Sequence, residues 1–338
     1  MFALVTGGGG FIGSHVVEQL RLAGHRVRAL VRIPSKAAFV RSLGAELVRG
    51  DVTDPATLGA ALAGVDTVFH LASRVTDWGD WRQFESVTVT GTRNMLDAAA
   101  QAGVRRFVEF SSVSVYDDRY SARNPTIAED APHGGRGDRK YGFYSRAKAQ
   151  AEEAAFEAHA TGKLPVTVLR PALVYGPRDS VTLPRLVEYL ESYTALWIGR
   201  GNPVIDPIYA SDVARCAMLA AESDVAIGQA YNVAPEELIG TRDFQRELCA
   251  QLGIAPPRWT VPKSVVSALT FVVENSAKAL RWKEPPTMTK AGIALFSENR
   301  HHTPAKAWRD LGWRAEVSLT DGIRLTAEWL RQSRGSVE

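Results

Sequence analysis

The sequence predicts an α/β fold: a doubly wound parallel sheet followed by a smaller, mainly helical carboxyl-terminal lobe. Three observations carry this. Over roughly the first 175 residues, short β-branched runs alternate with longer helical patterns, and such alternation calls for a parallel sheet covered by helices on both faces. A glycine-rich turn, "TGGGGFIG", joins the first strand to the first helix. From residue 241 onward mostly helical patterns remain, broken by "APPRW" and "KEPP". Residues 1–175 are therefore assigned to the sheet domain, with a strand and a helix returning to it near 203–233. Residues 176–335 form an interleaved helical lobe, expected over the carboxyl ends of the strands.

The elements follow in order. "FALV" reads as the first strand and "IGSHVVEQLRLAG" as a helix closing at Gly24. "HRVRALV" is the second strand, "PSKAAFVRSLG" a short helix and "AELVRGD" the third strand. "PATLGAALAG" is a helix with Asp54 as N-cap and Pro55 at its first position. "DTVFHLAS" is the fourth strand, and residues 82–102 form a long helix. "RFVEFSS" is the fifth strand, residues 144–160 an Ala-rich helix and "PVTVLRP" the sixth strand. "GNPVIDPIYASDVARCAMLAAE" gives an irregular strand and a helix, and "GQAYNVAP" another strand. Residues 117–140, polar and rich in Gly and Arg, are too long for a simple connection and are a candidate lid or mobile loop.

Composition narrows the function classes. With 40 basic and 37 acidic residues among 338 and no Lys/Arg block, nothing argues for nucleic acid. Cys216 and Cys249 lie far apart and form no CxxC, which suits two small buried residues in a reducing compartment. The seven histidines show no ligand spacing, and the adjacent His301 and His302 would not face the same way, so no metal is expected. A strand pattern beginning at Phe2, without a basic segment before it, predicts no secretory leader and a cytoplasmic location. The apolar "VVSALTFVV" (265–273) is far short of the roughly 20 residues that span a bilayer. It reads as a buried or amphipathic helix, with a membrane-surface contact as the alternative.

Gly7, Gly10 and Gly13 are spaced GxxGxxG between a strand and a helix. The first permits a tight turn, the second lets the backbone approach a pyrophosphate, and the third lets the helix pack on the sheet. With Phe11 and Ile12, they open a helix whose N-terminus faces the anion. This predicts a Rossmann-type dinucleotide site. An NAD site usually carries an acid at the end of the second strand. Here that place is Val31, followed by Arg32, Ser35 and Lys36. Two cations and a hydroxyl suit a 2′-phosphate, so NADP(H) is expected, with NAD(H) the less favoured cofactor.

"YSRAK" places Tyr144 and Lys148 one helical turn apart, on one face. A free phenol has a pKa near 10, too high for an efficient base at neutral pH. A nearby ammonium favours the phenolate.

"TGGGGFIG" and "YSRAK" together resemble the TGxxGxxG and YxxxK signatures of the extended short-chain dehydrogenases/reductases. The resemblance covers nearly the whole chain and implies further roles. Asp51 and Val52 of "GDVTD" would lie near adenine, and Leu71, Ala72 and Ser73 of "HLAS" against the ribose and phosphates. Counting back from Tyr116 in "SSVSVY" gives Ser112 as the hydroxyl that polarises the substrate oxygen, with Ser111 and Ser114 as weaker candidates. Pro171 and Val174 of "LRPALVYGP" would lie along the nicotinamide. Thr88 stands where extended members commonly have Asn, which puts an Asn-organised water relay in doubt.

The substrate reading rests on two places. Leu173 occupies the position where sugar-nucleotide enzymes carry an Asn for the diphosphate, and so argues against such substrates. Trp78 and Trp81 in "SRVTDWGDW" are candidates for the wall of an apolar pocket. With "LRPALVYGP" and "DLGWRAEVSLTDGI", the pattern most resembles the 3β-hydroxysteroid dehydrogenase-like branch. That implies hydride transfer between NADP(H) and a secondary alcohol or ketone on a largely apolar molecule, steroid-like or alkyl keto. The rivals are a dihydroflavonol-reductase-like carbonyl reductase, a nucleotide-sugar epimerase/dehydratase and a non-catalytic NADP-sensing regulator. The last tends to lose the Tyr/Lys pair that is present here. Helices 82–102 and 144–160 are expected to form a homodimer interface.

Overall fold

The computed structural model describes residues 1–134, 142–192, 194–282 and 284–335. Its amino-terminal part contains strands β1 (Phe2–Thr6), β2 (Arg26–Val31), β3 (Glu46–Arg49), β4 (Thr67–His70), β5 (Arg106–Phe110) and β6 (Val166–Pro171). Between them run helices α1 (Phe11–Leu22), α2 (Ala38–Ser42), α3 (Leu58–Leu62), α4 (Trp81–Phe84), α5 (Gly91–Gln101), α6 (Asp118–Ser121) and α7 (Gly142–Ala160). The expected long helix at 82–102 is α4 and α5 joined through a wider π turn at Glu85–Thr90. Asp54 caps the turn before α3 by accepting from Ala56 N at 3.2 Å.

The remainder runs through β7 (Leu173–Tyr175), α8 (Thr182–Glu191), β8 (Trp197–Ile198), β9 (Val204–Ile205), β10 (Pro207–Tyr209), α9 (Ala210–Glu222) and β11 (Ala230–Val233). It ends with β12 (Ile239–Gly240), α10 (Thr241–Leu252), β13 (Thr260–Val261), α11 (Lys263–Ala279), α12 (Lys290–Ser297), α13 (Ala305–Leu311) and α14 (Leu319–Gly335).

The main sheet has seven strands in the order β11-β6-β5-β4-β1-β2-β3, all paired parallel. Its seventh strand, β11, comes from beyond residue 175. The chain order reverses at β1, which lies between β2 and β4. In open α/β sheets ligands bind at such a switch point, outside the carboxyl ends of the strands. The two faces divide as strand alternation requires. Ala3 and Val5 pack with Val16, Val17 and Leu20 of α1 and with Val213 and Ala217 of α9. Leu4 and Val68 pack on the other face with Met95, Leu96 and Ala155. A third core, with Tyr175, Leu186, Phe244, Ile323 and Leu330, builds the carboxyl-terminal lobe.

Cys216 and Cys249 are buried free thiols. Among the described residues no group of side chains could hold a metal ion, and no described helix is long and apolar enough to cross a membrane. The described part of the polar 117–140 segment is packed down rather than free as a lid. Asp117 caps α6, Ile127 is buried and bridges to His302, and Tyr116 bridges to His133. Residues 135–140 lie outside the described residues.

Candidate active site

The glycine turn forms one end of a cavity of about 820 Å³ that runs from the sheet's switch point into the carboxyl-terminal lobe. Gly7 adopts φ +65°, and Gly10 N closes the turn onto Gly7 O at 2.8 Å. A Cβ on Gly13 would stand 2.2 Å from Gly7 O, so only glycine lets α1 begin this close to the turn. The N-cap of α1, Gly10, offers no side-chain acceptor, and the first turn carries no acid. The leading N–H groups of a helix have no intrahelical partner. Here no side chain caps them, and they open onto the cavity as a helix N-terminus suited to an anion would. This cradle fits a dinucleotide pyrophosphate.

Gly7, Gly10, Phe11, Ile12 and Gly13 line this end, with Arg32 and Lys36 beyond β2 and Asp51 and Val52 beyond β3. Arg32 and Lys36 are exposed. Asp51 is held by its own turn, accepting from Thr53 N at 2.9 Å. Leu71, Ala72 and Ser73 also line the cavity. The amides of Leu71 and Ala72, however, both donate to Thr6 Oγ1 at 3.1 Å. The backbone contact expected from "HLAS" therefore falls to groups other than these two amides.

Ser112, Tyr144 and Lys148 meet in the middle of the cavity, with Pro171 and Val174 beside them. Strand β5 delivers Ser112, whose Oγ accepts from Ser114 N at 3.1 Å and so starts a short 3-10 turn. Helix α7 delivers Tyr144 and Lys148 one turn apart. Burial raises the Tyr144 phenol above its ordinary pKa, and the Ser112 hydroxyl acts against that shift. Lys148 is buried, and its Nζ donates to Phe110 O at 2.5 Å. Burial lowers its ammonium, while Glu109 and Glu152 oppose the loss of charge. Ser111 is committed elsewhere, donating to Glu152. Ser114 reaches the cavity lining, but its hydroxyl has no partner among the described residues.

A buried polar layer lies under α7 that residue spacing does not reveal. Arg170 donates from Nε to Glu152 Oε1 at 3.1 Å, from Nη1 to Tyr116 Oη at 2.8 Å and from Nη1 to Glu129 O at 3.0 Å. Glu152, against burial, is held down at about 2 by His133 and Arg170. Glu109 is pushed up to about 7, first by burial and then by Glu152, with Lys148 opposing. Burial and then Lys148 hold His70 neutral, its pKa down at about 3, between Thr6 Oγ1 at 2.9 Å and Thr92 Oγ1 at 3.2 Å. A carboxylate between the apolar residues of "FVEF" is the sequence signal of this layer. Thr88, in the expected Asn position, accepts from Arg74 N at 3.1 Å.

The two tryptophans fall outside the cavity lining, which corrects their expected role as its wall. Trp78 is buried, and its Nε1 donates to Trp282 O at 2.9 Å. Trp81 lies under the guanidinium of Arg146, 3.9 Å from the ring centre, and packs, as Tyr144 does, against the cluster of Phe84, Val89 and Ala147. It braces the helix that carries the phenol. The apolar end of the cavity is instead lined by residues such as Leu186, Leu196, Trp197, Ile205, Ile293 and Phe296. Leu173 lines it too, as does His302, whose Nδ1 lies 2.6 Å from Asp206 Oδ2.

This chain is similar to proteins of known name along nearly all its length. It is 29% identical over 328 residues to a 2-alkyl-3-oxoalkanoate reductase of Stenotrophomonas maltophilia, covering 96% of this chain and 98% of that one. It is 32% identical over 330 residues to a 3 beta-hydroxysteroid dehydrogenase/Delta 5-->4-isomerase of Mycobacterium tuberculosis, covering 92% and 85%. Among solved structures, a double mutant of the dTDP-glucose 4,6-dehydratase DesIV from Streptomyces venezuelae, with NAD and DAU bound, superposes with a TM-score of 0.77. It is 26% identical, with 99% and 98% of the two chains covered. The model of the NAD dependent epimerase/dehydratase family matches residues 3–234. The chain belongs to that family, the extended short-chain dehydrogenases/reductases.

Proposed function

We propose that the protein is an NADP(H)-dependent oxidoreductase that interconverts a secondary alcohol and a ketone on a largely apolar small molecule, steroid-like or alkyl keto. The observation that carries this reading is the meeting of Ser112, Tyr144 and Lys148 in the cavity whose far end is the glycine cradle. The nicotinamide cofactor, when bound, supplies or accepts the hydride. In the reductive direction Tyr144 gives its phenolic proton to the carbonyl oxygen as the carbonyl carbon is reduced. Burial keeps that phenol protonated, the form a donor needs. Ser112 holds the same oxygen by a hydrogen bond. Lys148 favours the return of a proton from the alcohol by stabilising the phenolate, and it anchors the cofactor's ribose.

The preference for NADP(H) rests on Arg32 and Lys36, two exposed cations at the cavity mouth with no carboxylate at the end of β2. Names of relatives favour a keto compound: one is a 2-alkyl-3-oxoalkanoate reductase and another a 3 beta-hydroxysteroid dehydrogenase. The apolar lining around Leu173, Leu186, Ile293 and Phe296 suits such a substrate better than a sugar diphosphate. In this reading residues 1–175, with the returning β11, hold the cofactor, and 176–335 close over the substrate. Helices α5 and α7 would pair with their copies in a cytoplasmic homodimer.

The test is a fluorescence titration with NADPH and NADH, followed by a panel of steroid alcohols, alkyl ketones and 2-alkyl-3-oxo acids. For Tyr144→Phe we expect unchanged NADPH affinity and a turnover loss of about 100-fold or more. Equal turnover in the variant would remove Tyr144 from its role.

A further inference from the structure

Helix α11, "KSVVSALTFVVENSAKA", is amphipathic in the wrong sense for a helix facing water. Its buried stripe is Val266, Thr270, Glu274 and Ala277, spaced i, i+4, i+8 and i+11 along one face. The only carboxylate between Arg258 and Arg281 is Glu274. It is turned inward and accepts from Lys290 N at 2.9 Å. The outward face is left to Val265, Leu269 and Val272, which are 47%, 63% and 60% exposed, with Phe271 and Val273 on its flanks. A surface helix of a globular protein normally presents charge on this side. A contiguous exposed apolar patch marks an interaction site.

We propose that this face docks the protein onto an anionic lipid bilayer. The charges choose the occupant. Arg258, Lys278 and Arg281 are exposed around the two ends of the helix, and Lys290 stands over the Phe271 ring at 4.6 Å. An apolar face rimmed by cations is what an interfacial helix offers to acidic headgroups. Trp259 precedes the helix and Trp282 follows it, 75% and 50% exposed. Indole rings of this kind favour the headgroup level of a bilayer. A second copy of the chain would instead set two cationic rims together: of the nearby carboxylates, Glu298 is already paired with Lys263 at 2.8 Å, and the exposed Glu284 is outnumbered by Arg258, Lys278, Arg281 and Lys290. The helix lies on the bilayer rather than across it. Its 17 residues extend only about 25 Å, and its inner stripe is packed against the protein. Helix α12 packs on α11, and Ile293 and Phe296 of α12 line the cavity. Docking therefore brings one apolar wall of the cavity next to the lipid.

The experiment is co-sedimentation of the full chain with vesicles of phosphatidylcholine alone and of phosphatidylcholine mixed equally with phosphatidylglycerol. We expect binding to the anionic vesicles that weakens with added salt. The double variant Leu269→Gln/Val272→Gln should lower the partition coefficient at least about tenfold. The single variant Lys278→Glu should lower it on anionic vesicles while leaving the apolar face whole. Both variants change exposed side chains only, so an unchanged circular dichroism melt certifies their fold. Failure of wild type to sediment with anionic vesicles overturns the proposal, as does undiminished binding by the double variant. A solution dimer that this double variant converts to monomer also overturns it, because a second copy would then cover the face. None of these readouts uses a substrate, so they stand apart from the catalytic reading.

Discussion

Lys148 donates from Nζ to the main-chain carbonyl oxygen of Phe110 at 2.5 Å, tying helix α7 to the carboxyl end of β5 two residues before Ser112. One hydrogen bond thus fixes the helix that presents the phenol relative to the strand that presents the hydroxyl. Its donor is a buried ammonium whose charge Glu109 and Glu152 support. Lys148→Met would remove the tie and the positive charge together. Under the proposed roles, turnover should fall by about 100-fold to 10,000-fold. NADPH affinity should fall as well, because a ribose anchor is lost. Steady-state rates and a fluorescence titration separate the two effects, and a circular dichroism melt checks the fold.

Glu109 makes stability depend on pH in an unusual direction. Its carboxyl is pushed up to about 7, mainly by burial, whereas in the unfolded chain it titrates near 4.3. Between these values the folded protein holds a proton that the unfolded chain has released. The contribution of this group is therefore fully present below about pH 4.3 and is lost as pH rises through about 7. Glu109→Gln should abolish the trend. Urea midpoints of wild type relative to the variant should decline from about pH 5 to about pH 7.5. Glu152 works oppositely: held at about 2, it contributes above its unfolded pKa and loses that contribution only as pH falls toward 2. Above pH 5 the buried His15 and His70, held at about 3, still add stability as pH rises toward 6.5, but both proteins share them, so the difference between wild type and variant reads Glu109. A midpoint difference that stays flat or rises with pH would contradict this account.

Local pattern made the sheet legible. The strands β1 to β6 are short apolar runs, and their alternation with helices fixes a parallel arrangement before any contact is known. The glycine turn and the Tyr144–Lys148 spacing are local as well, and both face the same cavity. What sequence spacing hides depends on distant partners. Trp78 looks like a pocket wall until its indole is found donating to Trp282, 204 residues away. The polar stretch after Tyr116 reads as a free loop, yet Asn232 donates from Nδ2 to Ile127 O at 3.2 Å and accepts from Tyr116 Oη at 2.6 Å. Ser111 and Ser112 are adjacent and chemically equal. Only the position of Glu152, 41 residues on, commits Ser111 to a structural bond. The carboxylate in "RFVEF" breaks an apolar run, but its neighbours Lys148 and Glu152 come from a different element.

The cofactor preference proposed for the mouth of the cavity turns on two side chains. Arg32 and Lys36 are exposed there, and neither is held in an ion pair to a described residue. Charge-assisted hydrogen bonds are worth roughly 1.5–3 kcal/mol each, so Arg32→Ser should weaken NADPH about 10-fold to 100-fold by that measure. NADH, which lacks the 2′-phosphate, should be nearly unaffected. Arg32→Ser/Lys36→Ser should bring the two affinities together. Paired titrations at fixed ionic strength decide the matter. An equal loss for both nucleotides would place these cations outside the 2′-phosphate site.

Gly13 in α1 and Gly59 in α3 give a matched test of close approach against chain freedom at two helical glycines. A methyl group on Gly13 would meet Gly7 O at 2.2 Å and Gly7 C at 2.8 Å. Both are backbone atoms of the turn itself, so nothing can yield except the cradle. Gly13→Ala should destabilise the protein by about 1–3 kcal/mol, and by moving the N–H groups of α1 it should also weaken NADPH binding. Gly59 lies in α3, is exposed, and has nothing within 4 Å of its would-be Cβ. Gly59→Ala should therefore stabilise by about 0.5–1 kcal/mol and leave binding alone. Chemical denaturation and an NADPH titration on both variants provide the comparison. Retained binding in a destabilised Gly13→Ala would mean that the turn shifts without closing the anion site, and the cradle would then depend less on glycine than its geometry implies.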